Sequence, residues 1–379
     1  MKILQVVQSL GKGGAERLVL EVSRAIRKYY PDVQNRIVAL KRLNEYPDLS
    51  RDLDIVYCDS NISLSLSGKS YIDVEEFEKI VKDYCPDVIH SHTYKSELIS
   101  REHLEPNVKY FTHAHNNMPE FRNFSIGTIF KKDKLTKFWE KCRIVAKYKE
   151  CHNNIIAISK DTERYYKSVM PKVLAKNIYT LPNAIDYHKF YCERNFDFSG
   201  PLNLIMVAHM SDYKNQTFLI DVLKNLTDKG VDVDLTLIGD WRNNGESIKL
   251  KAERLGVLSH LKMPGLVEDV ENVYKRNHIY VHSSLTESFG LTLLEAMASG
   301  LPVVTLDGRG NRDLIVQGKN GYMVYEQNAE QFADRILEIW NDQQKYKEMT
   351  VFAQEFAQKY DIKEYADKLL SIYKECKES

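Results

Sequence analysis

The chain has 379 residues, 43% of them hydrophobic, and 53 Lys/Arg balance 53 Asp/Glu. This length favours two domains over one and supplies enough apolar residues for ordinary globular cores. Neutrality of the whole hides an asymmetry: residues 1–180 hold 30 Lys/Arg and 23 Asp/Glu, a net of +7, which leaves −7 for the remainder and points to an anionic partner for the first half.

The chain opens as strand, glycine loop and helix. Ile3, Leu4, Val6 and Val7 form the strand, and Gly11-Lys12-Gly13-Gly14 the loop. Ala15, Leu18, Val19, Val22, Ala25 and Ile26 then recur at helical spacing. The loop is not the dinucleotide fingerprint, which needs G-x-G-x-x-G and a later acidic residue. Its expected role is close backbone approach to a ligand.

Asp87–His90, Lys109–Thr112 and Asn154–Ile158 read as further strands, and Ser159 can cap the helix after the last. His113 and His115 follow the second of these strands. Their spacing of two could belong to a metal site, yet no third ligand is evident in the sequence. Between them and Asn154, the segment Lys131–Lys149 holds eight basic and two acidic residues, with Leu135, Phe138, Trp139, Cys142 and Val145 on one side. Two readings stand: a basic amphipathic helix facing an anionic membrane surface, or a helix packed on the sheet with a solvated basic face. No nucleic-acid recognition motif accompanies it.

Residues 183–200 show little apolar periodicity and end in Ser199-Gly200-Pro201, as a linker would. A second series of strands follows: Leu202–Ala208, Val233–Ile238, Ile279–His282 and Leu301–Leu306, with helical segments between them. Strand and helix in alternation predict a parallel sheet with right-handed crossovers, and two series predict two doubly wound α/β domains. Asp232-Val233-Asp234 reads as a solvated strand entrance rather than a metal motif. The six cysteines form no Cys-x-x-Cys pair and read as scattered thiols of a cytosolic protein. The N-terminal apolar run is too short for a signal peptide, and no stretch approaches the roughly 18 apolar residues of a membrane-spanning helix.

The most informative stretch runs from Thr286 to Val304. Ser288, Phe289 and Gly290 can open a helix at a sheet edge, where free amides and the helix dipole suit a diphosphate. Glu287, in the loop, can reach sugar hydroxyls. Glu295, inside the helix, can accept from a ribose. Lys214 follows a strand, where ligand loops of such sheets lie, and offers a cation to a departing diphosphate.

Glu287-x7-Glu295 followed by Ala-Met-Ala-Ser-Gly-Leu-Pro-Val-Val resembles the signature of retaining GT-B glycosyltransferases of family four. Other matches fall in the family's order. They are the glycine loop Gly13-Gly14-Ala15-Glu16-Arg17, Ile158-Ser159-Lys160, Leu181-Pro182-Asn183-Ala184-Ile185-Asp186, the lysine motif Lys214-Asn215-Gln216, Leu237-Ile238-Gly239-Asp240 and Pro264-Gly265-Leu266-Val267. There are two departures. Ala208-His209 replaces the usual Gly-Arg, exchanging a permanent cation for a side chain about neutral at pH 7, and Asn183-Ala184 replaces Asn-Gly.

The resemblance implies two Rossmann-like domains facing a cleft. Residues 1–182 would bind the acceptor, 183–200 would link, 201–361 would bind the nucleotide sugar, and a last helix from 362 to 379 would return to the first domain. It implies a metal-independent hexosyltransferase that uses a UDP- or GDP-linked sugar and retains anomeric configuration. The acceptor would be a glycan or lipid-linked molecule of bacterial-type surface polysaccharide assembly, handled in the cytoplasm on the inner face of the membrane. Glu287, His115 and Lys214 would be catalytic, with His113 an alternative sugar contact. Gly13, Gly14, His209, Asn215, Asp240, Gly265, Leu266, Ser288, Phe289, Gly290, Leu291 and Glu295 would join them around the donor. A sugar-nucleotide epimerase of the same fold, and an inactive polysaccharide-binding scaffold, are the rival readings.

Overall fold

A computed structural model describes residues 1–64, 70–122, 132–194, 198–240 and 244–375. The chain divides into two compact units, Met1–Ala184 with Ile362–Ser379, and Ile185–Asp361.

The first unit is built on a seven-stranded parallel sheet. Its strands are β1 (Lys2–Val7), β2 (Gln34–Ala39), β3 (Asp54–Tyr57), β6 (Val88–Ser91), β7 (Lys109–Ala114), β8 (Asn154–Ala157) and β9 (Ile178–Thr180), in the order β3-β2-β1-β6-β7-β8-β9. A short antiparallel pair, β4 (Asn61–Ser63) and β5 (Tyr71–Asp73), stands apart from it. The central strands are buried on both faces, as a sheet covered by helices on each side requires. One face packs on helix Gly14–Tyr29 and the last helix, Ile362–Glu375. Leu18, Val22 and Ile26 meet Tyr365, Leu369 and Tyr373 there, over Ile3, Val88 and Phe111. The other face carries Phe77, Val81, Phe121, Ile144, Tyr148 and Tyr166.

The second unit has six parallel strands: β10 (Leu202–Val207), β11 (Val233–Ile238), β12 (Leu261–Gly265), β13 (Ile279–His282), β14 (Val303–Leu306) and β15 (Gly321–Val324), ordered β12-β11-β10-β13-β14-β15. The two-domain, doubly wound α/β expectation holds. In each sheet the winding reverses once, between β1 and β6 and between β10 and β13. A ligand crevice opens at such a reversal, beyond the carboxyl ends of the strands.

The described part of the non-periodic stretch 183–200 is packed rather than extended. Ile185 pairs with Asp361, helix Tyr187–Phe190 buries Phe190, and Phe198 packs against Trp340 and Tyr346. These anchors lie at irregular spacing, so no helical or strand period betrays them.

Lys131 lies outside the described residues, and the described part of the basic segment is a helix, Lys132–Glu150. Its buried side is not the one that spacing suggests. Ile144 and Tyr148 are buried and Trp139 and Val145 pack beside them, whereas Leu135, Phe138 and Cys142 are exposed. Among the described residues no helix is long and apolar enough to cross a membrane.

Candidate functional site

In the second unit the expected site residues gather at the carboxyl ends of the strands. β10 leads to Ala208-His209, β11 to Gly239-Asp240, β12 to Gly265-Leu266 and β13 to the loop that carries Glu287. Backbone bonds tie these ends together. Met210 N–H donates to Asp240 at 2.9 Å and Gly239 N–H to Gly265 at 3.0 Å, while Leu285 N–H donates to Tyr213 at 2.8 Å. Gly239 cannot be replaced freely: its φ is +143°, and a Cβ there would lie 2.0 Å from the Ala208 carbonyl oxygen.

Across the reversal between β10 and β13, Lys214 Nζ donates to Glu287 Oε2 at 2.6 Å. His282 Nε2 lies 3.1 Å from the same oxygen. Lys214 and Glu287 are 14% and 15% exposed, so the pair is mostly buried but still within reach of a ligand. Burial by itself would push the Glu287 carboxyl up. The hydrogen bond from His282 and the charge of Lys214 outweigh it and hold the group at about 2. Burial also lowers the pKa of His282. The imidazole is thus neutral at pH 7, and the proton it shares with the carboxylate is on Nε2.

The loop around Glu287 is held from outside. Glu287 N–H donates to Gly308 at 2.8 Å, and Gly310 N–H donates to Glu287 at 3.0 Å. A Cβ on Gly310 would stand 2.2 Å from the Ser288 carbonyl oxygen, so the close approach of the two loops requires glycine. Gly290, at φ +103°, starts helix Leu291–Ala298, and no side chain caps that end. The Leu293 N–H bonds back to the Gly290 carbonyl at 3.0 Å, and no side chain caps the amides of Leu291 and Thr292, which suit an anion. Ser288 is partly exposed and Phe289 is buried.

Glu295 lies within that helix, 2% exposed, and takes the Tyr274 hydroxyl at 3.1 Å. It is a buried, oriented carboxylate rather than a solvent-facing one. Asn215 takes a left-handed conformation, φ +53°, ahead of helix Gln216–Asp228, and its amide reaches Gln327 at 3.2 Å. His209 is exposed and shares a hydrogen bond with Tyr213. Burial, and then the charge of Lys214, lower its pKa, so it brings no charge at pH 7. Lys214 is not a bare cation, since Glu287 already neutralises it. Asp234 sits at the opposite end of β11, where Lys262 binds it at 2.6 Å.

In the first unit, Gly13 and Gly14 form the turn from β1 into helix Gly14–Tyr29, and Tyr46 donates to the Gly13 carbonyl at 3.2 Å. His113 is 1% exposed, on β7. His115, just beyond the strand, is partly exposed.

Both histidines belong to a larger stack that includes His90 and His92. Neighbouring rings are 4.2 to 5.3 Å apart. The third metal ligand that the sequence withheld is thus present in space. Nitrogens of His90, His92 and His113 lie within 4.8 Å of one another, the one such group among the described residues. The rings of His90 and His92 nevertheless lie within 24° of parallel to His113, which sets their lone pairs side by side rather than converging on a point. Both nitrogens of His92 are already engaged, by Gln5 at 2.7 Å and His115 at 3.0 Å. The sequence signal for the stack was two consecutive strands each ending in His-x-His, at 90–92 and 113–115.

Comparison with known proteins agrees with this architecture. Residues 12–189 match the family model "Glycosyltransferase Family 4", and residues 193–356 match "Glycosyl transferases group 1". An uncharacterized glycosyltransferase of Haemophilus influenzae is 22% identical over 98% of this chain and 99% of its own length. Spore coat protein SA of Bacillus subtilis is 27% identical over 46% of this chain, and the match spans about half of that protein, 49%. Among solved structures, Anabaena HepE in complex with UDP and glucose superimposes with a TM-score of 0.78 at 19% identity, over 99% of this chain and 100% of that one. The fold is GT-B. The chain belongs to the glycosyltransferases of the group 1 and family 4 type.

Proposed function

We propose that the chain transfers a sugar from a UDP- or GDP-linked donor to a glycan or lipid-linked acceptor, with retention of anomeric configuration and without a metal. The observation that carries this reading is the Lys214–Glu287–His282 cluster at the reversal of the second sheet, beside the uncapped helix start at Gly290. That arrangement combines a cation and open amides for a diphosphate with a fixed carboxylate for a sugar. Anabaena HepE, a structural relative, has been solved with UDP and glucose.

In the reaction, the bond between the anomeric carbon and the diphosphate oxygen breaks, and a bond to the acceptor oxygen forms. The acceptor's proton passes to the departing diphosphate. Lys214 and the amides of the helix Leu291–Ala298 stabilise the charge on that leaving group. Glu287, kept ionised by Lys214 and His282, orients the sugar and faces the positive charge that develops on it. Glu295, held by Tyr274, binds the ribose. His209, Asn215, Asp240, Gly265, Leu266, Ser288, Phe289 and Leu291 surround the nucleotide. Gly13 and Gly14 allow close backbone approach, and His115, the more exposed of its pair, contacts the sugar. The net basic first half and helix Lys132–Glu150 fit an anionic acceptor, handled in the cytoplasm at the inner face of a membrane in surface polysaccharide assembly.

The test is a thermal-shift screen of nucleoside diphosphates and their sugars, because a ligand that binds only the native state raises the unfolding temperature. Stabilisation by one base series is the expected result. No shift with any of them would overturn the donor assignment. Conversion of the nucleotide sugar without an acceptor would identify an epimerase instead.

A further inference from the structure

One polar chain crosses four adjacent strands of the first sheet, and one of its ends is chemically unambiguous. Ser23 Oγ lies 2.7 Å from the carbonyl oxygen of Val19. A carbonyl only accepts, so the serine must donate its proton there, and its oxygen must accept from Asn35 Nδ2 at 2.8 Å. The amide of Asn35 is thereby oriented, and its Oδ1 accepts from Gln5 Nε2 at 3.3 Å. That orients Gln5 in turn and turns its Oε1 to His92 Nε2, 2.7 Å away. His92 therefore carries its proton on Nε2. Its bare Nδ1, 3.0 Å from His115 Nε2, must accept. Each link removes the choice from the next, and the last link puts the His115 proton on Nε2.

We propose that Asn35, Gln5 and His92 are positioning residues that hold His115 as the Nε2–H tautomer, so that its bare Nδ1 receives a hydroxyl of the donor sugar. This rests on the sugar-contact role given to His115 above. Burial drives the pKa of both His92 and His115 well below the ordinary value, so neither ring gains the second proton that would break the chain near neutral pH. The consequence is chemical selectivity. A neutral ring that shows only an acceptor takes a hydroxyl group and rejects a phosphate or carboxylate, which would need a donor. Sugar and diphosphate are thereby distinguished at this position without a charge. The stacked neighbours serve the same end, since His113 lies flat against His115, with centroids 4.2 Å apart and planes 16° apart, and limits rotation of the ring.

The direct test is NMR of the protein with 15N-labelled histidine, in which couplings between ring nitrogens and carbon-bound protons report the tautomer. His115→Asn identifies the His115 signals. The expected result is a neutral Nε2–H ring at pH 7.5, with or without donor. A Nδ1–H ring, a mixture or an imidazolium at His115 in the wild type would overturn the proposal. Gln5→Met keeps the length of the side chain and removes its amide, and should convert His115 to a tautomer mixture while kcat/KM falls about tenfold, the scale of one lost hydrogen bond. Donors carrying fluorine in place of single hydroxyls supply the second arm, since fluorine cannot donate. One position should lose about tenfold in the wild type and nothing further in His115→Ala. Equal use of all the fluorinated donors by the wild type would also overturn the acceptor role. The tautomer is read whether or not transfer occurs, so failure of the inference and failure of the proposed reaction are separable.

Discussion

The Lys214 ammonium lies 2.6 Å from one oxygen of Glu287, and His282 reaches that same oxygen from beneath, from a fully buried position on β13. Removing the donor at His282 tests whether it matters to the ionised state. Against the raising effect of burial, His282 and Lys214 together hold the Glu287 carboxyl at about 2, so the wild type keeps this carboxylate charged throughout the range above pH 4. In His282→Phe one of the two restraints is gone and burial still acts. The pKa of Glu287 must then rise, and activity that needs the carboxylate must decay at a higher pH. The acid limb of kcat/KM between pH 4 and 8 should move upward in the variant. Coincident limbs would show that His282 is only a packing residue.

Lys214→Ala removes the cation and also strands a mostly buried carboxylate. We expect kcat/KM to fall by roughly 10²-fold or more, the scale of losing one preorganised electrostatic contact. His209→Arg should be tolerated or should tighten nucleotide binding, since His209 is exposed and uncharged at pH 7. Steady-state kinetics and nucleotide titration measure both. Near-normal turnover by Lys214→Ala would mean that the diphosphate is held elsewhere.

Much of the fold could be read from the sequence because buried parallel strands are short apolar runs set apart by helical periods. β10, β11 and β13 fall where Leu202–Ala208, Val233–Ile238 and Ile279–His282 place them. The β12 edge strand is harder to recognise, because Leu261–Gly265 alternates with lysine and contains Pro264. At the site, motif and spacing identified Glu287 and Lys214 as residues of interest but could not show that they touch, being 73 positions apart. His282 counted only as the end of a strand. Nor did any period reveal that Glu295 turns to Tyr274, or that the Asp307–Gly310 loop closes over Glu287. Those contacts come from tertiary packing, which local sequence does not encode.

Helix Lys132–Glu150 offers a surface that membrane binding would use. Leu135 and Phe138 are 41% and 47% exposed, and Lys137 and Lys149 on the same helix are exposed as well. Lys141 is committed elsewhere, donating to the Phe121 carbonyl at 2.8 Å, and Arg143 is paired with Glu102. The informative variant is therefore Lys137→Glu with Lys149→Glu and Phe138→Ser, which spares the packed side. It should lose sedimentation with anionic vesicles, each charge being worth about 1 kcal/mol near such a surface. A wild type that ignores anionic vesicles at low salt would leave this helix a packing element with a solvated basic face.

The stereochemical outcome discriminates most sharply among mechanisms. An α-linked donor should give an α-linked product. Two routes retain configuration. In one, a carboxylate attacks the anomeric carbon and the acceptor displaces it from the opposite face. In the other, the acceptor enters from the face the diphosphate leaves, through an oxocarbenium-like state. The geometry favours the second. Glu287 Oε2 is engaged by both a lysine and a histidine, and a carboxyl held at about 2 is a weak nucleophile, well stabilised as an anion. Such a group suits a fixed countercharge to the cation that develops on the sugar. Glu287→Gln should then be slowed yet retain measurable transfer, whereas loss of a true nucleophile would be nearly complete. NMR of the product's anomeric proton decides the main point, since a β-linked product would refute retention. A covalent glycosyl adduct trapped on Glu287 would refute the same-face route and leave retention standing.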